Sequence, residues 1–155
     1  SKTIGSYLNK VFSKAFQSAK WVRTHTSIGR GTVSIGNVSV DLAQRIFGEL
    51  SDRKVLLVGS GEVGRLTAQA LKNRSIQSIS FTSRTLENAK KLRDEIGGTV
   101  LDYSTLDAHL HEFDIVITST SAPNYIFERK AVKKMMGKRS YNPFFLIDLD
   151  GVRGL

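Results

Sequence analysis

The fold of this chain is decided by the stretch Lys54-Val55-Leu56-Leu57-Val58-Gly59-Ser60-Gly61-Glu62-Val63-Gly64. A short apolar run that ends in glycine is typical of a strand buried on both faces. The G-x-G-x-x-G pattern carries weight here because it follows that strand and opens a helical pattern. Gly59 would permit a tight turn, Gly61 would let the backbone approach a pyrophosphate, and Gly64 would allow close packing of helix on strand. We therefore predict a dinucleotide cradle made of Gly59, Ser60, Gly61, Glu62, Val63 and Gly64. A purely structural glycine turn is the alternative.

Strands and helices alternate along the rest of the chain. Further strands are predicted at 79–82, 99–103, 114–118 and 144–148, and helices at 38–50, 62–73, 86–96, 106–113 and 128–136. Such alternation is typical of a parallel sheet covered on both sides. The fold class is therefore predicted to be α/β, a Rossmann-type doubly wound, mostly parallel sheet with helices on both faces.

The first part of the chain carries a separate helical pattern. Its apolar positions recur at i, i+3 and i+4, and they are Ile4, Leu8, Val11, Phe12, Ala15, Ala19 and Val22. Residues 24–32 are rich in turn formers and are interpreted as a connector. We predict an amphipathic linker helix and connector at 1–31 and a dinucleotide-binding domain at 32–155. Because the chain begins with Ser1, we also expect a processed or excised piece of a larger protein.

The end of the second strand indicates which dinucleotide is bound. A site that prefers NAD usually has an acidic residue about 20 residues after the glycine pattern. This chain instead reads Thr82-Ser83-Arg84-Thr85. Arg84 is suited to a 2′-phosphate, and the hydroxyls of Ser83 and Thr85 are suited to donate to it. NADPH is therefore the predicted cofactor; an arginine that only caps the sheet edge is the alternative.

The fourth strand is followed by small hydroxyl residues. Thr120 and Ser121 are predicted to lie beside the nicotinamide half of the cofactor, because the carboxyl ends of parallel strands line the cofactor crevice. A plain strand-to-helix turn is the alternative. His25, His109 and His111 do not form a metal or catalytic pattern, and no catalytic or metal-binding residue is predicted in this chain.

The 155 residues carry a net charge of +9 and no cysteine, which excludes disulfides and a cysteine nucleophile within the chain. No apolar run approaches the roughly 20 residues of a membrane span, so no membrane partner is expected. Basic residues cluster before residue 31 and again at Arg129, Lys130, Lys133, Lys134, Lys138 and Arg139. Such clusters attract polyanions, including RNA, although each is equally readable as a solvated helix face.

Several segments together resemble the glutamyl-tRNA reductase family. They are Phe12-Ser13-Lys14-Ala15-Phe16, Thr26-Ser27-Ile28-Gly29-Arg30-Gly31, residues 59–64, Ser83-Arg84-Thr85-Leu86-Glu87, Ser119-Thr120-Ser121-Ala122-Pro123 and Phe145-Leu146-Ile147-Asp148-Leu149. The chain departs from the family pattern at Ser83, where the family has asparagine. It departs again at Asp150-Gly151-Val152-Arg153, where the family continues Ala-Val-Pro-Arg.

The resemblance implies an NADPH-dependent oxidoreductase of tetrapyrrole (porphyrin) biosynthesis that reduces an enzyme-bound glutamyl thioester to glutamate-1-semialdehyde. It also implies that glutamyl-tRNA is bound through other domains of the parent protein, that the whole protein is a homodimer, and that this chain alone is inactive. We expect a cytoplasmic protein, or a plastid one in a photosynthetic eukaryote. A shikimate-dehydrogenase-like NADP-dependent domain and a non-catalytic dinucleotide-sensing module remain open alternatives.

Overall fold

The computed structural model describes residues 32–120, 126–140 and 142–149. Its helices are α1 (Thr32–Phe47), α2 (Glu62–Asn73), α3 (Leu86–Ile96), α4 (Leu106–His109) and α5 (Arg129–Lys138). Short 3-10 segments at Tyr103–Thr105 and Leu110–Glu112 flank α4. Its strands are β1 (Lys54–Val58), β2 (Ser78–Thr82), β3 (Thr99–Val100), β4 (Ile115–Thr118) and β5 (Phe145–Asp148). The predicted linker helix and connector at 1–31 lie outside the described residues.

Within the described ranges the strands form one sheet in the order β3-β2-β1-β4-β5, and every neighbouring pair is parallel. The chain builds outward from β1 in one direction and then returns to build in the other. This is the doubly wound Rossmann-type arrangement, and it places a crevice at the carboxyl ends of β1 and β4, where the winding reverses. The predicted fold class is confirmed.

Two hydrophobic layers cover the sheet, because successive residues of each strand face opposite sides. Val55 and Leu57 of β1 face a layer formed with α1, α2 and α3, whereas Leu56 and Val58 face a layer formed with α4 and α5. All four side chains are at most 1% exposed. The run Lys54–Val58 is therefore apolar on both faces because helices pack on both of them.

The helix before the sheet starts earlier than predicted, at Thr32 rather than at residue 38. The predicted helix began at residue 38 because its apolar spacing is regular only from Val38 onward, and that boundary was wrong. A Cβ added at Gly36 would lie 2.9 Å from the Cα of Thr67, so this glycine permits a close crossing of α1 over α2. Ser39 is accommodated because its hydroxyl donates to the carbonyl of Ile35, one helical turn earlier, at 2.8 Å.

The third strand is shorter than predicted, since it ends at Val100 rather than at residue 103. The reason is a local polar interaction. The Asp102 carboxylate accepts from the backbone N–H of Ser104 at 2.8 Å and so begins a 3-10 turn. Both bonds that Ser104 donates, from its N–H and its hydroxyl, lower the pKa of Asp102.

The amino edge of the sheet is held by a buried arginine. Arg139 is 6% exposed, and its guanidinium donates to the carbonyls of His111, Phe113 and Pro143 and to the carboxylate of Asp114. The other carboxylate oxygen of Asp114 accepts from the N–H of Lys54 at 3.1 Å, so this network joins β1, β4 and β5. The sequence analysis placed Arg139 in an exposed basic cluster, and this was wrong.

None of the helices in the described ranges combines the length and the apolar character that crossing a membrane requires.

Candidate functional site

The glycine loop lies at the carboxyl edge of the sheet, between the ends of β2 and β4. The N–H of Gly59 donates to the carbonyl of Thr82 at 2.9 Å, and the N–H of Ser119 donates to the carbonyl of Val58 at 2.8 Å. These two backbone bonds continue the ladders of the sheet by one residue on each side of β1. The loop is therefore fixed over the crevice that the strand order creates.

Two of the three glycines are required by packing. Gly59 has a φ of +112°, and a Cβ added there would lie 2.3 Å from the carbonyl oxygen of Ser119. A Cβ added at Gly64 would lie 2.8 Å from Ser119 Oγ and 2.9 Å from the carbonyl oxygen of Gly59. The close approach predicted for Gly64 is thus present. Any side chain at either position would push the loop away from β4.

The third glycine faces open space. A Cβ added at Gly61 would meet nothing within 4 Å, and the backbone there is extended, with φ −72°. Gly61 is the N-cap residue of α2, where no side chain accepts a hydrogen bond from the first-turn N–H groups. Glu62 is exposed and Val63 is half-buried, so both offer backbone N–H groups at this end of the helix. Packing does not explain the glycine at 61, but the approach of a ligand to the backbone would.

The end of β2 lies directly beside the glycine loop. The hydroxyls of Ser60 and Ser83 are 3.1 Å apart and joined by a hydrogen bond. Arg84 and Thr85 are both exposed. Within the part of the chain that the structure describes, the Arg84 guanidinium forms no hydrogen bond or ion pair.

The nearest carboxylate in sequence is not available to Arg84. Glu87, in the first turn of α3, accepts a hydrogen bond from Lys90 at 2.8 Å. That hydrogen bond, together with the charge of Lys90, lowers the pKa of Glu87. This carboxylate is therefore paired with Lys90 and not with Arg84.

Two buried hydroxyls that the sequence analysis did not select lie at the same edge. Thr82 Oγ1 and Ser119 Oγ are buried and lack a hydrogen-bond partner among the described residues. Both stand in stretches quoted for the site, one residue before a selected position, but burial could not be derived from the sequence. Unpaired buried hydroxyls are costly and mark a place where a ligand or an ordered water completes the structure.

The remaining selected residues follow β4. Thr120 is half-buried, and Ser121 lies outside the described residues. Two residues before Thr120, at the end of β4, the Thr118 hydroxyl donates a hydrogen bond to the carboxylate of Asp148 at 2.9 Å. This bond joins the carboxyl ends of β4 and β5. The structure thus brings residues 59–64, residues 83–85 and Thr120 to one edge of the sheet.

The histidines that the structure describes take no part in this site. His109 is bonded to Glu112 at 2.7 Å, on the short helical segments before β4, and this bond lowers the pKa of Glu112. Among the described residues no group of histidine, aspartate and glutamate side chains is arranged to hold a metal ion.

Comparison with protein families gives one match that covers most of the site. Residues 41–153 match the model of the family described as shikimate / quinate 5-dehydrogenase. This range contains every strand of the sheet, the glycine loop and the end of β2.

Individual proteins give a more specific similarity. The chain is 42% identical over 148 residues, 96% of its length, to a glutamyl-tRNA reductase of Geotalea uraniireducens. It also aligns with the structure of the glutamyl-tRNA reductase from Methanopyrus kandleri with a TM-score of 0.68 and 35% identity, covering 82% of this chain and 32% of that one. These matches confirm the resemblance inferred from the sequence. The chain spans only 34% of the length of the first relative.

The shikimate dehydrogenase of Aquifex aeolicus is more distant. It aligns with a TM-score of 0.56 at 17% identity, covering 76% of this chain and 50% of that one. This likeness shows the shared fold.

Proposed function

Because the chain belongs to the shikimate/quinate 5-dehydrogenase family, we propose that it is a dinucleotide-binding domain that holds NADPH at the carboxyl edge of its sheet. We propose further that it serves a glutamyl-tRNA reductase, the enzyme named for the relatives that match nearly its whole length. The observation that carries the cofactor assignment is the guanidinium of Arg84 beside the glycine loop, which is exposed and has no ion pair with a described residue.

The end of β2 supports NADPH over NADH. A ribose without a 2′-phosphate is usually bound by a carboxylate at this position, and here the corresponding residues are Ser83, Arg84 and Thr85. A guanidinium pairs with a phosphate through two parallel hydrogen bonds, and the neighbouring hydroxyls add donors. The one carboxylate close in sequence, Glu87, is bound to Lys90 and would not repel the phosphate strongly.

The glycine loop supports the position of the pyrophosphate. Open space at Gly61 and the N-terminus of α2 provide room, backbone donors and a partial positive charge for a bridging diphosphate. The buried hydroxyls of Thr82 and Ser119, which have no partner among the described residues, are further polar groups at this edge that a small shift of the loop on binding would bring to the ligand or to an ordered water. NADPH supplies the hydride of the proposed reduction. The residues of this chain would bind and orient it, with Thr120 on the nicotinamide side; Ser121, predicted for the same role, lies outside the described residues.

Sequence similarity favours the reductase over the dehydrogenase alternative. The family model describes the domain type, whereas an identity of 42% over 96% of the chain is far closer than the 17% of the shikimate dehydrogenase structure. The reductase reaction needs an acyl-enzyme thioester, and this chain has no cysteine to form one. We therefore assign the thioester to other parts of the parent protein, and we propose that the specific recognition of glutamyl-tRNA and any dimer contacts also lie there.

Titration of the chain with NADPH and with NADH tests the cofactor assignment. We expect NADPH to bind more tightly by about 1–3 kcal/mol, because only NADPH offers Arg84 a charge-assisted contact. Enhancement of the nicotinamide fluorescence reports binding of both. The oxidised pair NADP⁺ and NAD⁺, which do not fluoresce, are compared by isothermal titration calorimetry and control for the redox state of the ring. Equal affinities within either pair would reject the phosphate site.

A chimaera tests the activity. The matching third of the Geotalea uraniireducens reductase would be replaced by this chain, and the product assayed for NADPH-dependent reduction of glutamyl-tRNA and for NADP⁺-dependent oxidation of shikimate. We expect only the first activity, and none from the chain alone. Oxidation of shikimate by either protein would favour the dehydrogenase alternative. NADPH binding without reduction by the chimaera would favour a non-catalytic module.

A further inference from the structure

The helix α5 carries a concentration of unpaired positive charge. Its exposed cations are Arg129, Lys130, Lys133, Lys134 and Lys138. None of them forms a hydrogen bond or ion pair with a residue that the structure describes. Of all the acidic residues in the chain, only Asp150 lies outside the described ranges.

The helices on the opposite face of the sheet carry acidic as well as basic side chains, and several of their cations are paired. Ion pairs there join Arg65 to Glu95, Arg74 to Asp41, Lys90 to Glu87 and Arg93 to Asp94. On α5 no acidic residue lies within the helix, and Glu128 precedes it. A face of ordinary solvated charge would be expected to mix both signs, as the opposite face does.

The five cations form one continuous surface. Val132 and Met135 are buried and anchor α5 on the sheet, with exposures of 5% and 2%. At about 100° per residue, the basic positions occupy about half of the helix circumference, centred opposite those two side chains. Gly137 lies inside this arc and is exposed, with open space where a Cβ would be. Nothing on the arc prevents a chain of anions from lying along it.

The chemistry of the arc favours a phosphate backbone. Side chains three and four residues apart on a helix lie about 5–6 Å from one another, so an elongated polyanion would contact several of them at once. Four of the five are lysines, which act as flexible point charges and suit backbone contacts that do not read sequence. A membrane-surface helix needs large apolar side chains beside its cations. The large exposed apolar residues of the described chain, Ile46 and Leu86, lie on other helices.

We propose that the exposed face of α5 is a contact surface for the sugar-phosphate backbone of RNA. It lies on the layer of α4 and α5, and it does not depend on the proposed function, since none of its residues belongs to the glycine loop or to the end of β2.

Anisotropy titrations of a fluorescein-labelled RNA duplex over a KCl series test the surface. The variant is Lys130→Gln/Lys133→Gln/Lys134→Gln, and the matched control is Arg45→Gln/Lys72→Gln/Lys91→Gln, three exposed cations on the other face of the sheet. Both remove the same charge and leave the basic segment before Thr32 intact. We expect the α5 variant to lose about tenfold or more in affinity at low salt. We expect its slope of log affinity against log salt to fall by about two to three, since each phosphate contact contributes about 0.9.

If the α5 variant and the control lost RNA affinity equally, the proposed surface would be rejected, because the net charge of the chain would then explain the binding. Vesicles containing phosphatidylserine and soluble polyglutamate serve as competing anions. If the α5 substitutions weaken binding to either as much as binding to RNA, the assignment to RNA is wrong. Both variants should retain the NADPH affinity of the parent chain, so this test and the cofactor test fail independently.

Discussion

The two edges of the sheet each contain an arginine, and the two arginines have opposite surroundings. Arg139 at the amino edge is buried, and its guanidinium donates to four backbone carbonyls and to Asp114. Arg84 at the carboxyl edge is exposed and bonds to nothing in the described chain. Desolvating a charge is expensive unless partners replace the water, so Arg139 stabilises the fold only because its partners are complete.

The same contrast extends to the neutral groups. At the amino edge the N–H of Lys54 and the carboxylate of Asp114 satisfy each other. At the carboxyl edge the hydroxyls of Thr82 and Ser119 are buried without a partner in the part of the chain that the structure describes, and the first turn of α2 has no side-chain cap there. At the amino edge these polar groups are paired with other protein groups. At the carboxyl edge several polar groups have no protein partner among the described residues, and we propose that a ligand binds them. Substitutions at the amino edge should therefore change stability, and substitutions at the carboxyl edge should change cofactor affinity.

The largest effect is expected from Arg139→Met. The substitution removes the bonds to the carbonyls and leaves Asp114 with an uncompensated, partly buried charge. We expect the free energy of unfolding to fall by about 3–5 kcal/mol, measured by urea denaturation. Arg129→Met, on the exposed face of the same helix, is the control and should change stability by less than about 0.5 kcal/mol. If the two variants proved equally stable, the hydrogen bonds of Arg139 at the amino edge would not contribute to the stability of the fold.

Two glycines of the loop at the carboxyl edge should also differ, one affecting cofactor affinity and the other affecting stability. Gly61→Val should lower the unfolding free energy by no more than about 1 kcal/mol, because a Cβ there would meet nothing within 4 Å and only the N-cap preference for glycine is lost. It should weaken NADPH and NADH alike by about 3 kcal/mol, because it fills the space proposed for the diphosphate. Gly59→Val should instead destabilise the fold, since it has a positive φ and an immediate clash with Ser119. If a folded Gly61→Val variant bound NADPH and NADH with unchanged affinity, the glycine loop would have only a structural role and would not hold the diphosphate.

Much of the fold could be predicted because its signals are local. The helix at 62–73 and the helix at 86–96 were predicted with the observed ends, since apolar periodicity runs through both, and a glycine precedes the first (Gly61) and follows the second (Gly97). The start of α1 could not be predicted in this way. Gly36 is a crossing point with Thr67 on another helix, and in the sequence a glycine at a crossing is indistinguishable from a glycine at a turn.

The positions of the site's backbone segments relative to one another could be predicted from the sequence. Residues 59–64 and 83–85 are adjacent because parallel strands end at the same edge, and the sequence order implies that adjacency. Burial and pairing depend on the tertiary structure. The sequence therefore gave no sign that Arg139 is buried while Lys138 beside it is exposed, nor that Ser119 is the hydroxyl enclosed under the loop.

The comparison of the two arginines is completed by Arg84→Ala. Because this guanidinium has no partner in the described chain, the unfolding free energy should change by less than about 0.5 kcal/mol. NADPH affinity should fall by about 1–3 kcal/mol while NADH affinity stays nearly constant, since only the 2′-phosphate is deprived of a charge-assisted contact. Arg84→Lys keeps the charge but loses the planar fork, and should fall between the wild type and alanine. An equal loss for both cofactors would place Arg84 against the adenine or the diphosphate. A loss of stability like that of Arg139→Met would mean that the carboxyl edge, too, is closed by protein.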